Sequence, residues 1–243
     1  METELIILFL STLVAGIIPI AIPKLQQYSV NSLLVFTSAY LFSITIIHIL
    51  PEVFHNGPEV TIGIVVLAGF FFQVILDVFS KGIEHGHAHI ESEKTSQKYQ
   101  VFLPLYIALL IHSLLEGGIL ETDGHHHEHA VNTVFTGLLI HKIPAVLALT
   151  GLMISLKFKT QKALILLLIF ASASPIGALI NEHLGVLLHE QSSNYLVAFV
   201  CGNFLHISTV MFFEINPNHS EFKFKKAAIS ALGALLAILG ELM

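Results

Sequence analysis

Two ten-residue stretches, IHSLLEGGIL at 111–120 and IHKIPAVLAL at 140–149, set ionisable side chains inside long apolar runs. His112 and Glu116 are four residues apart, which places them on one face of a helix. His141 and Lys142 precede Pro144. In a helix that proline leaves the carbonyl of Ile140 without its usual N–H donor. A charged side chain at the centre of a bilayer costs about 2.5–3.5 kcal/mol on insertion scales, so groups of this kind are functional by default. Two imidazoles and a carboxylate (His112, His141 and Glu116, with Ser113 adjoining) offer N, N and O ligands. That set suits Zn²⁺ or Fe²⁺ better than Mg²⁺ or Ca²⁺. Protonated Lys142 has no lone pair to give. It would stand where a second cation would otherwise sit, neutralise Glu116 and keep the site to one ion. The bland alternative is a buried polar network, with Glu116 bonded to Lys142 and the histidines bonded to backbone.

The elements that must position these groups are membrane spans. The chain has 243 residues, of which 54% are hydrophobic and only 12% charged, whereas soluble domains average ~25% charged. This is the composition of a multi-pass membrane protein, and the net charge of −6 says less about partners than the charge distribution does. Cys201 is the only cysteine, so no intrachain disulfide is possible, and Trp and Arg are absent, which leaves Tyr and Lys as interface anchors. Glu2 and Glu4 stand where a signal peptide would be basic, so the first apolar run reads as a span and not as a cleaved leader.

Eight runs are long and apolar enough to span, at about 4–23, 30–50, 60–80, 101–121, 131–153, 161–181, 193–214 and 224–242. They predict an all-α polytopic protein with a single transmembrane domain over 1–243. Lys24, Lys81, Lys94, Lys98, Lys157, Lys159, Lys162, Lys223, Lys225 and Lys226 all fall in or beside the odd-numbered loops. The termini and even-numbered loops hold no lysine but carry Glu2, Glu4, Glu52, Glu59, Glu121, Asp123, Glu128, Glu182, Glu190 and Glu241. The remaining lysine is the intramembrane Lys142. Positive charge marks the cytoplasmic side, so both termini are expected outside. The sorting works only with an even number of spans in this frame.

Other polar groups are placed by the same frame. His48 and Glu52 are four apart at the outer end of the second span, although Pro51 stands between them. They are either a wet interfacial cap or a means of ion admission. Asp77 and Lys81 fit a helix-end ion pair. His85, His87 and His89 fall in a cytoplasmic loop at 81–100, and His125, His126, His127 and His129 in an outer loop at 121–130. Such tracts bind metals loosely through neutral imidazole and suit capture. Ser174, beside Pro175, is either a packing residue or an accessory to the site. His206 lies near mid-depth in the seventh span, and small residues of the eighth (Ala227, Ser230, Ala231, Ala234, Ala237) suggest close packing.

These motifs together resemble the ZIP family (Zrt/Irt-like proteins) of zinc and iron transporters. The carriers are HSLLEG at 112–117 and HKIPA at 141–145. HILPE at 48–52, the His-containing loop after the third span and SPIGALI at 174–180 agree in position. The resemblance implies a ZIP-like bundle of eight spans with both termini outside. It implies movement of zinc toward the cytosol, with iron, manganese or cadmium as competitors. It also implies a site where the fourth and fifth spans meet, with His112, Ser113, Glu116, His141 and Lys142 in the site positions. Many members carry Glu where this chain has Ala145, and Asn, Asp or Glu in place of Ser113 or Lys142, and can hold two metals. The His-Lys pair is similar to a subset for which one metal at a time is expected. His206 falls outside the family pattern and is a candidate compensating ligand.

The expected function is therefore transport of divalent metal, not enzymatic catalysis. No prosthetic group is expected, and Zn²⁺ or Fe²⁺ is cargo. The partners are metal ions and the lipid bilayer, with no nucleic acid and a homodimer as one admissible assembly. The expected location is a cell (inner or plasma) membrane. Two alternatives stay open at this point. A sensor would bind metal without flux. A His-box di-metal lipid enzyme would need its tracts to converge on one side, whereas the lysine pattern separates them.

Overall fold

The structure is a computed structural model that describes residues 2–22, 31–80, 95–120, 128–187, 190–214 and 220–242. Its secondary structure, among those residues, is entirely helical. The helices are α1 (Glu2–Ala21), α2 (Asn31–Ile44), α3 (Leu50–His55), α4 (Glu59–Ser80), α5 (Thr95–Ile119), α6 (Glu128–Ser155), α7 (Thr160–Leu187), α8 (Glu190–Glu214) and α9 (Ser220–Leu242). A π-helical turn, Thr45–Ile49, joins α2 to α3 with helical backbone angles on either side, so the three pieces form one rod. Pro51 sits at the start of α3, where its missing N–H costs least, and the widened turn lies just ahead of it. The rod therefore runs through Pro51 and keeps His48 and Glu52 on one face. Pro144 and Pro175 likewise lie inside continuous helices.

Among the described residues, six stretches are long and apolar enough to cross a membrane, within α1, the α2–α3 rod, α4, α5, α6 and α7. Among the described residues of α8 the apolar run is Asn194–Val210. The solvent of these helices is legible in what they expose. On α4, Ile64, Leu67, Phe71, Ile75 and Val78 face outward at helical spacing, and α9 shows Leu232, Leu235, Leu236 and Leu239 likewise. The interior meanwhile holds Gln73, His112, Glu116, His141, Lys142 and Asn203. Apolar outside and polar inside is stable only in lipid.

The rods pack as two groups. In one, α5 lies on α7, and α1 lies on both α6 and α7; in the other, α4 lies on α8, and α2 lies on α8 and α9. Glycine sets the closest crossings within each group. A Cβ on Gly117 would run into the backbone carbonyl of Ser174, and one on Gly177 into that of Leu114, so α5 and α7 touch backbone to backbone. Gly69 and Gly202 do the same for α4 and α8, against Phe199 and Val66. Between the groups the glycines meet side chains instead: Gly118 faces Leu196, and Gly137 faces the Tyr40 ring.

The cores divide along the bundle. Near the end that holds the start of α1, a single apolar cluster spans both groups, from Leu5, Ile119, Leu138 and Ala178 to Tyr40, Val53, Ile62, Val197 and Ala237. Toward the other end there are two clusters. Phe102, Leu109, Val146, Met153, Leu167 and Phe170 belong to the α5–α6–α7 side. Leu34, Val35 and Ile207 belong to the other group.

Candidate metal centre

Three helices bring polar side chains to one level, just where the shared core ends. On α5, His112, Ser113 and Glu116 lie between Leu109 of the divided core and Ile119 of the shared one. On α6, His141 and Lys142 lie between Leu138 and Val146, and on α7, Ser174 lies between Phe170 and Ala178. All six residues are buried, none more than 6% exposed. The Gly117–Ser174 crossing explains how α7 comes near enough for so short a side chain as serine to take part.

Glu116 divides its two oxygens. Oε2 accepts a hydrogen bond from Lys142 Nζ at 2.5 Å. The same ammonium donates to Ser113 Oγ at 2.6 Å and Ser174 Oγ at 2.7 Å, which occupies all three of its N–H groups. Ser174 Oγ in turn donates to the carbonyl of Ser113 at 2.8 Å. Lys142 also lies 5.3 Å from the centre of the Phe170 ring. Oε1, by contrast, points at the two histidines, 2.9 Å from His112 Nε2 and 3.7 Å from His141 Nε2. Neither Oε1 nor His112 Nε2 has a hydrogen bond of acceptable geometry, and the Nδ1 atoms of both histidines are also without partners. The two imidazole rings stand edge to face, 5.9 Å apart between centroids.

One ligand atom from each of His112, Glu116 and His141 lies within 4.8 Å of the others. Around a tetrahedral Zn²⁺ with bonds of ~2.0–2.1 Å, ligand atoms stand roughly 3.3 Å apart. The observed 2.9 and 3.7 Å straddle that spacing. Three protein ligands would leave a fourth position for water, the pattern of an exchangeable site. Half of the bland alternative is present, the Glu116–Lys142 bond; the other half is not, because the histidines lack backbone partners.

Ser113 faces the ammonium and not the three converging atoms. Ser174, expected as packing or accessory, is a direct partner of Lys142. His206 does not join the cluster. It pairs with Asp77, Nε2 to Oδ2 at 3.9 Å, and its ring stands edge-on to Phe70 at 5.1 Å. Lys81, the expected partner of Asp77, lies outside the described residues, as do His85, His87, His89, His125, His126 and His127; His129 is the second residue of α6, with its side chain undescribed. His48 lies 3.6 Å from Glu52 and, through Nδ1, 2.9 Å from Glu241 at the end of α9. Sequence spacing offered no signal for Glu241, which is 193 residues away.

Residues 84–240 match the model of the family described as ZIP Zinc transporter. The chain is also similar to "Zinc transporter ZIP9" of Micropogonias undulatus, 26% identical over 165 residues, which cover 64% of this chain and 52% of that protein. A second relative, "Zinc transporter ZIP9" of Xenopus tropicalis, is 23% identical over 164 residues, covering 64% and 53% respectively. The chain thus spans about half the length of the curated relatives it matches.

Proposed function

The chain belongs to the ZIP zinc transporter family, and on that premise we propose that it moves Zn²⁺, with Fe²⁺ as a competitor, toward the cytosol. The ion passes through a single-ion site made by His112, Glu116 and His141 between the fourth and fifth spans. One observation carries this: a carboxylate oxygen left open toward two imidazoles, buried at the level where the shared core stops. Lys142 takes the position of a second ion, and Ser113 and Ser174 hold the ammonium there.

In this proposal the eight rods are eight spans of one domain, 1–243, with both termini outside, as the lysine distribution supports. The loop at 81–100 is then cytoplasmic and the loop at 121–130 external, and their histidines collect ions on either side. His48 and Glu52, with Glu241, form the outer mouth. The membrane is the cell membrane. With this orientation the shared core seals the outer end, and the divided cores face the cytoplasm. The described conformation is thus the inward-facing one. The change of access is a sliding of one helix group on the other. It is supported by backbone contacts inside the groups and compliant side chains between them.

The test is radiolabelled zinc uptake into proteoliposomes by the intact chain and by His141→Ala. Saturable uptake that the substitution abolishes is the expected result. Binding without uptake in the intact chain turns the assignment to a sensor, and uptake that survives the substitution moves the site to other helices.

A further inference from the structure

The seam between α4 and α8 holds polar atoms that the transport site does not use. On α4, Phe70, Gln73 and Asp77 recur at helical spacing along one stripe, and on α8, Asn203 and His206 are three apart. The glycine crossing at Gly69 and Gly202 fixes the register of the two helices. Below it, His206 touches both Phe70 and Asp77, so Gln73, between those two on the stripe, faces the same seam. Asn203 is fully buried, Gln73 is 1% exposed and His206 7%. Yet Gln73 Oε1, both amide atoms of Asn203 and His206 Nε2 have no hydrogen-bond partner. An orphaned buried polar group is destabilising, and several along one seam call for a ligand or ordered water.

We propose that Gln73, Asp77, Asn203 and His206 form a second station for a divalent transition-metal ion, on the helix group that does not carry the transport site. The donors are one imidazole nitrogen, one carboxylate and two amide oxygens, a set suited to borderline divalent ions. His206 Nε2 and Asp77 Oδ2 are 3.9 Å apart, too far for a hydrogen bond. That distance is short enough for both atoms to bind one ion, whose ligands lie ~2.0–2.2 Å from it. Two neutral amides and one imidazole accompany the carboxylate here, against two imidazoles at the transport site. Phe204, which stands against His112 at 6.4 Å between ring centres, is two residues before His206, so the station lies on the other side of α8 from the transport site. Asp77, near the end of α4, is partly exposed, and the station is reached from that end of the α4–α8 seam. The inference rests on the transport reading, and its test separates the two.

The probe is ¹¹³Cd²⁺ bound to the purified full chain in detergent, read by ¹¹³Cd NMR and by counting bound ions. His206→Ala is expected to remove one resonance and one bound ion, and a His112→Ala/His141→Ala variant to remove a different resonance and keep this one. Asn203→Leu and Gln73→Leu serve where His206→Ala does not fold, and each is expected to weaken or abolish the same signal. If the substitutions that fold leave every resonance and the ion count unchanged, the station does not exist. Leucine variants that gain thermal stability without losing an ion also rule the station out and make the seam a water pocket. Loss of the His206 signal, with no loss in the double variant, refutes the transport site while upholding the second station.

Discussion

Lys142→Met is the substitution that asks most of the site. Methionine keeps the length and apolar stem of lysine and removes the ammonium. A metal ion on Glu116 Oε1 lies ~2.0–2.1 Å from that oxygen. Because Lys142 Nζ is 2.5 Å from Oε2, the ion stands roughly 5 Å from the ammonium. A double charge facing a single one at that distance is repelled by about 6–7 kcal/mol at an effective dielectric constant of 20. Against this, Glu116 loses a charge-assisted hydrogen bond worth about 1.5–3 kcal/mol. A net gain of even ~3 kcal/mol is about a hundredfold in affinity. We therefore expect Lys142→Met to bind zinc ten- to a hundredfold more tightly and to turn over more slowly, because release now opposes a stronger site. Competition with a chromophoric chelator gives the Kd, and proteoliposome flux at saturating zinc gives the turnover. A folded Lys142→Met protein whose zinc affinity is unchanged or weaker refutes the argument. Lys142 would then be a clamp that orients Glu116 and not a built-in competing charge.

Two further expectations follow from the packing. Gly117→Ala forces α7 away from α5 at the carbonyl of Ser174; it should cost about 1–3 kcal/mol of stability and reduce uptake by loosening Ser174 from Lys142. Gly63→Ala, whose Cβ would meet nothing within 4 Å, is the control, and equal melting temperatures and uptake for the two variants would contradict the crossing. Glu241→Gln keeps an acceptor for His48 Nδ1 but removes the charge that holds the imidazole at 2.9 Å. It should raise the KM for zinc by ~10-fold, the low end of what loss of the partner of a metal-binding histidine costs, with kcat little changed, and an unaltered KM would remove Glu241 from the outer mouth.

What the sequence disclosed, it disclosed through period and cost. His112 and Glu116 could be paired because four residues is one helical turn, and Lys142 stood out because a lysine in an apolar run is expensive. Span positions were legible for the same reason, but helix ends were not. The span expected from residue 101 begins as a helix at Thr95, because TSQKYQ at 95–100 is too polar to read as membrane while helical hydrogen bonding runs through it. The π-turn at Thr45–Ile49 has no compositional mark. Ser174 looked like any small residue in a span, because its part depends on a crossing of α5 and α7 that sequence does not state. Gln73 and Asn203 carry no mark of their own: a single amide in an apolar helix reads as packing, and only the register of α4 on α8 sets Gln73 toward the seam that holds His206.

In the proposed reading, the arrangement of Glu116 also explains how a metal ligand can wait in lipid. An isolated carboxylate there would be prohibitive, and one saturated on both oxygens would be inert. Lys142 compensates the charge through Oε2 and leaves Oε1 directed at His112 and His141. The site is therefore neutral before an ion arrives and positive after it. That sign opposes tight retention and favours passage. Permanent storage would call for the reverse, a site with surplus negative charge in a core closed at both ends. Here the ligands lie at the edge of the shared core, with the divided cores beyond.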